Sequence, residues 1–245
     1  MPTKIEWCRN LDGTPGHTIN PIRFRNKATG KVGHFCEKVS PGCARCYAST
    51  MNGGPYLSGL TYIAENRDKG ELYFDSAVLE QVPRRRKPTT YFWNDMTDLF
   101  GEWVPDEWID REMATCALTP QHRHIFLTKR AKRMREYASN PNLFQRIHEA
   151  VKSSMGYDNP KRPAINPHDL PLPNVILGVS VEDQQRADER IPELLATPAA
   201  CRMLSVEPLL GPVTLQNHPM FWKSNAQLGW LVTGGESGPG ARPCN

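Results

Sequence analysis

The stretch "NVILGVSVEDQQRADERIPELLATPAACRMLSVEP", residues 174 to 208, decides the fold class. It opens on a short apolar run rich in β-branched residues and turns polar at Glu182. A helical pattern with Pro192 inside it follows, and then a second apolar run that again ends on a carboxylate, Glu207. Short apolar runs bounded by polar residues read as buried strands. Two such strands joined by a helix imply a parallel pair with a crossover connection. Pro192 predicts a kink or a restart in that helix.

The signature recurs along the chain. "TTYFWND" (89–95), "HIFLTKR" (124–130) and "GWLVTGGES" (229–237) read as further strands. "PDEWIDREMATCAL" reads as a helix with Asp106 as its N-cap and Ile109, Met113 and Cys116 on one face. A first strand around Thr18 to Asn20, and "GELYF" (70–74) leading into the helix "DSAVLEQV", bring the count to about seven. The expectation is one α/β domain over residues 1–245, a partial or complete parallel (β/α) barrel of the TIM-barrel-like kind. The Pro-rich, aperiodic "YDNPKRPAINPHDLPLPN" (157–174) reads as an insertion into that domain.

In such barrels function gathers where strands end and loops begin. Asn94, Asp95 and Asp98, then Thr128, Lys129 and Arg130, then Ser180 and Glu182, then Ser205 and Glu207, then Glu236 all fall there. A polar residue after a strand can also cap the next helix. Five consecutive strands ending in charged groups nevertheless predict a rim that binds something.

The loop "HFCEKVSPGCARCYAS" (34–49) reaches the same rim and carries Cys36, Cys43 and Cys46 in a C-x6-C-x2-C pattern, folded back by the turn "SPG". Two readings compete. Structural zinc wants four ligands and would recruit His34 or a distant cysteine. A cluster of four irons held by three thiolates leaves one iron open for a small molecule. Cys8, Cys116, Cys201 and Cys244 are scattered and read as buried or incidental thiols.

The apolar fraction of 39% and charged fraction of 23% describe a globular chain. No apolar run approaches the roughly 20 residues that span a bilayer, and "MPTKIEWCRN" lacks the apolar core of a signal peptide. The predicted location is the cytoplasm, with no membrane partner; there seven cysteines with a tight cluster favour a metal site over disulfides. Thirty basic and 26 acidic residues leave a mild excess of +4. "RRRK" (84–87) and "KRAKRMR" (129–135) concentrate nine of those cations and are candidates to follow a phosphate backbone or to form a solvated face.

"CEKVSPGCARCYA", followed by "NDMTDLF", "LTKR", "GVSVE", "EPLLGPV" and "GGESGPGARP", resembles an uncharacterised phage and bacterial family described by its three-cysteine motif. That family is similar, more distantly, to radical S-adenosylmethionine (SAM) enzymes of the spore photoproduct lyase type. The resemblance implies a [4Fe-4S] cluster on Cys36, Cys43 and Cys46, with SAM chelating the fourth iron. One electron would cleave SAM to a 5′-deoxyadenosyl radical, which removes a hydrogen atom from a substrate. On this reading Asp95 is the catalytic candidate and Lys129 would take the SAM carboxylate. Ser180 and Glu182 would take its ribose or amino group, and Glu207 is a further cofactor-binding position.

The loop departs from the usual C-x3-C-x2-C, and the "GGE" at Gly234 to Glu236 follows a late strand, so the SAM-gripping role of that motif is not assigned to it. In the family a further helix and strand follow "GGESGPGARP", so a shortened C-terminus is expected. The predicted substrate is a nucleic acid or nucleotide whose base is modified or repaired. A dedicated protein partner, and the host cytoplasm for a phage-encoded chain, are also implied. The alternative is a non-catalytic zinc- or cluster-binding protein that recognises nucleic acid or a partner protein.

Overall fold

The computed structural model describes residues 2–153, 165–217, 228–236 and 240–243. Its strands and helices, in chain order, are β1 (His17–Ile19), β2 (Ile22–Asn26), β3 (Val32–Gly33), α1 (Tyr47–Asn52), β4 (Gly70–Phe74), α2 (Ser76–Leu79), α3 (Gln81–Arg84), β5 (Thr90–Trp93), α4 (Asp106–Ala117), β6 (Arg123–Thr128), α5 (Ala131–Ala138), α6 (Leu143–Ser153), β7 (Val175–Ser180), α7 (Gln184–Ala196), β8 (Cys201–Val206) and β9 (Trp230–Thr233).

Six strands form a parallel sheet in the order β1-β5-β6-β7-β8-β9. Each new strand is added to the same edge. Right-handed crossovers then place the connecting helices on one face. The two-residue period of a strand sorts side chains accordingly. Trp93, Phe126, Leu177, Val179, Leu204 and Val206 join Ile109 and Met113 of α4 and Ile191 and Leu194 of α7 in one large core. Phe92, Ile125, Ile176 and Met203 point the other way and pack on Cys8, Ile5 and Trp7. The Trp7 ring stands edge-on to Phe92 at 4.9 Å and to Trp230 at 6.2 Å, so the N-terminal segment lies across the face the helices leave bare.

The parallel sheet has six strands, not seven, because "GELYF" joins a different sheet. As β4 it pairs antiparallel with β2, in the order β3-β2-β4. Its partner "IRFRN" alternates Ile22 and Phe24, both buried, with the more exposed Arg23 and Arg25, the pattern of a half-buried strand. Asp106 is the first residue of α4, behind Pro105 at the cap, and its carboxylate instead takes Arg133 at 3.0 Å and Arg146 at 3.1 Å. Helix α7 runs through Pro192 and is capped by Asp183, which accepts the Arg186 N–H at 2.9 Å. Residues 157–164 of the Pro-rich insertion lie outside the described residues, as does Cys244; the insertion's remainder buries Leu172 in the core. Among the described residues no helix is long and apolar enough to cross a membrane.

Candidate three-cysteine site

The sheet register pairs Ser180 with Ser205, and alternation puts both on the face of Phe92 and Ile125. One step past the strand ends, that face opens into a cavity of about 380 Å³. Cys36, Cys43 and Cys46 line it together with Asp95, Lys129, Ser180 and Glu207.

The cysteine loop runs from β3 to α1. Ser40 is extended, and Pro41 to Cys43 form a tight turn in which Cys43 N–H donates to Ser40 O at 2.9 Å. Cys46 occupies the cap of α1, its carbonyl accepting from Thr50 N–H at 3.1 Å. Asn52 closes the loop at its base. Fully buried, it accepts from His34 N–H at 2.8 Å and donates to His34 O at 2.8 Å, Ser58 Oγ at 2.7 Å and Leu60 O at 2.6 Å. Cys36 is half-buried and packs against the main core. Burial pushes it up, Asp98 and the neighbouring cysteines add to the rise, and Arg130 opposes it.

His34 does not join the cysteines. Its Nε2 accepts from Arg23 Nη1 at 3.1 Å, and its Nδ1 donates to Ile22 O at 2.9 Å, so both ring nitrogens are engaged away from the cavity. Burial, then the Arg23 charge, holds this ring neutral, down at about 4. Among the described residues no three His, Cys, Asp or Glu side chains converge as a single metal ion requires.

The rim carboxylates divide into two kinds. Three have a dedicated arginine: Asp98 with Arg130 at 3.1 Å, Glu182 with Arg190 at 3.0 Å, and Glu236 with Arg242. Asp98 also accepts from Thr128 Oγ1 at 2.6 Å and from Lys129 N–H at 3.1 Å, tying the ends of β5 and β6 together. Glu182 has no exposed surface and accepts from Gly42 N–H at 3.1 Å, which sets it beneath the cysteine loop. Arg242 and Arg45 pull the Glu236 carboxyl down to about 2, the Arg242 hydrogen bonds contributing most.

Asp95 and Glu207 have no arginine among the described residues. Asp95 accepts from Asn20 Nδ2 at 2.6 Å and from Tyr47 Oη at 3.3 Å; burial raises its carboxyl while these bonds hold it back. Glu207 Oε2 accepts from Trp7 Nε1 at 3.1 Å and Ser205 Oγ at 3.0 Å. The Lys129 ammonium makes no ion pair with any described residue.

The basic segments do not form a common surface. Arg133 caps Gly101 O and Val104 O, Arg135 pairs with Glu193, and exposed Lys132 lies 3.9 Å from Glu136. Arg84 pairs with Glu80 and Lys87 with Asp12, and Lys87 sits with Arg123 and Thr90 at the opposite, N-terminal ends of the strands. Sequence reading placed Arg130 at the rim but missed Asn52, Trp7 and the arginine partners Arg190 and Arg242. Only Trp7, an aromatic inside a charged N-terminal stretch, carried a local signal.

The fold and site therefore define an α/β protein whose parallel sheet carries a three-cysteine cavity at the C-terminal ends of its strands. The chain belongs to the family described as "Protein of unknown function (DUF5131)", whose family model matches residues 3–245. Neither the curated proteins nor the solved structures give a match to it.

Proposed function

We propose that this protein is an iron-sulfur enzyme of the radical SAM type on a partial β/α barrel, with Cys36, Cys43 and Cys46 holding a [4Fe-4S] cluster. The observation that carries the reading is that all three thiols of the loop line one cavity at the C-terminal ends of the strands. Three thiolates hold three irons of a cluster and leave the fourth open, whereas a closed structural zinc site needs a fourth protein ligand. The zinc alternative loses its nearest fourth ligand, because both nitrogens of His34 are spoken for. When bound, the cluster and SAM together supply a carbon radical that removes a hydrogen atom from the substrate.

The chain's own residues bind and shield. Lys129 offers an unpaired cation to a carboxylate and Glu207 a carboxylate to an ammonium, so the cavity suits the zwitterionic end of an amino acid such as that of SAM. Ser180, on the same face, is the proposed contact for the ribose. Asp95, raised by burial, holds a proton more readily than a surface carboxylate and sits where a substrate would enter. A nucleic acid or nucleotide substrate is supported by the mouth alone. There Tyr47 is 51% exposed as a residue while its hydroxyl is tied to Asp95, which offers a fixed aromatic for stacking a base beside exposed Arg45.

The test is anaerobic purification followed by SAM. A brown protein is expected, losing iron and sulfide in Cys36→Ala, Cys43→Ala or Cys46→Ala but not in Cys116→Ala. SAM should then shift the electron paramagnetic resonance of the reduced cluster and yield 5′-deoxyadenosine. Lys129→Ala and Glu207→Gln should weaken that SAM response about tenfold or more while keeping the iron. A colourless protein holding one zinc per chain would overturn the reading.

A further inference from the structure

The turn that carries Cys43 buries no side chain of its own, so apolar packing does not fix it. It is gripped instead through one peptide bond. The Pro41 carbonyl accepts from Arg242 Nη2 at 3.1 Å, and the Gly42 N–H of the same peptide donates to Glu182 Oε1 at 3.1 Å. Each grip is braced from behind. Glu182 Oε2 accepts from Arg190 Nη1 at 3.0 Å, and that nitrogen also donates to Ser180 O at 2.7 Å. Arg242 rests on Glu236.

A carboxylate with no exposed surface is costly unless its oxygens are hydrogen-bonded. Here one of the bonds comes from the loop itself, so the charge and the turn stabilise each other. The fit is tight at position 42: a Cβ there would lie 3.1 Å from Glu182 Cδ and 3.2 Å from Oε1, so Glu182 would have to give by a few tenths of an ångström. Cys36 and Cys46 are held by other means. Phe35, beside Cys36, is buried and its carbonyl accepts from Thr97, while Cys46 is fixed by α1.

We propose that Glu182 and Arg242 are positioning residues for Cys43, setting the place of its sulfur in the cavity wall by holding the two ends of the Pro41–Gly42 peptide. The consequence for a bound cluster rests on the function proposed above; the positioning itself is a property of the metal-free chain.

The experiment measures iodoacetamide alkylation of each cysteine by peptide mass spectrometry in the metal-free full chain. Reduced iron-loaded protein is then examined by paramagnetic resonance. Glu182→Ala and Arg242→Ala should each speed alkylation of Cys43 relative to Cys46 by about fivefold, roughly the factor one lost hydrogen bond gives. Buried Cys8 and Cys116 should stay protected, which reports that the fold is intact. Arg84→Ala is the control. Arg84 is exposed on α3, where it pairs with Glu80, and is remote from the cysteine loop, so the ratio should not move. In iron-loaded Arg242→Ala the cluster signal should shift or broaden. If Glu182→Ala exposes Cys8 and Cys116, Arg242→Ala decides alone. An unchanged Cys43 to Cys46 ratio in a folded Arg242→Ala protein overturns the proposal. A wild-type protein that takes up no cluster overturns the function instead and leaves the alkylation result to stand by itself.

Discussion

Replacing Asn52 by alanine takes a hydrogen-bond partner from four polar groups: His34 N–H, His34 O, Ser58 Oγ and Leu60 O. Ser58 keeps the Leu60 N–H at 3.3 Å, so three groups are left wanting. A buried polar group left unsatisfied costs about 1–3 kcal/mol, and allowing for entry of some water the loss should be about 3–5 kcal/mol. For a chain of this size that is a fall in Tm of about 6–20 °C. Asn52→Asp should be at least as damaging, because its second oxygen would face the carbonyls of His34 and Leu60 in place of a donor. Gly33 supplies an independent check. A Cβ there would come within 2.2 Å of Asn52 Oδ1, so Gly33→Ala should destabilise the same clasp, and the double variant should lose less than the two singles added. Urea unfolding of the metal-free protein, followed by circular dichroism, measures all four. An alanine variant within about 0.5 kcal/mol of wild type, the range of an ordinary surface change, would refute the role assigned to Asn52.

Acid should weaken the protein through His34. Unfolded, a histidine takes its proton near pH 6.5; folded, His34 takes it at about 4, so the unfolded state binds more protons between those values and stability falls as pH drops through that window. The loss should reach about 3 kcal/mol by pH 4, and the pH slope of urea midpoints should flatten in His34→Asn. Arg133→Ala should lower stability by about 1–3 kcal/mol through lost charge-assisted bonds to Gly101 O, Val104 O and Asp106, whereas exposed Lys132→Ala should be neutral. Neither should change the salt slope of oligonucleotide binding; a flatter slope would return this helix to a phosphate-contacting role.

The parallel sheet was legible because β5 to β9 are short apolar runs with polar ends, and the three cysteines because their spacing is local. Strand-end position alone had put Lys129, Ser180 and Glu207 at one rim, and all three line the cavity. The fates of individual carboxylates were not legible. The tripeptide Ser-Val-Glu occurs twice, at 180–182 and 205–207, each at the end of a strand. Glu182 is fully buried against Gly42 and Arg190, while Glu207 faces the cavity with Trp7 beside it. What separates them is the element lying above, and that comes from 140 residues away in one case and 200 in the other. The pairing of the basic run at 129–135 was not legible for the same reason: its arginines meet acids and carbonyls that are distant in sequence. The strand β2 was readable in the alternation of "IRFRN", which the nearby cysteines overshadowed.

The walls of the cavity are drawn from Ile5 and Trp7 near one end of the sequence to Glu236 near the other. During synthesis the last of the three cysteines is added 190 residues before Glu236. At typical elongation speeds that interval is about 10–40 s. For that time Pro41 lacks Arg242 and the cavity lacks its last wall, so the nascent chain carries three uncovered thiols with no finished enclosure around them. Metal delivered then would meet a loop free to wrap it in the wrong geometry. For the cluster proposed above, the order of the polypeptide would place loading after translation, and protection of the young cysteines would then be a demand on the cell.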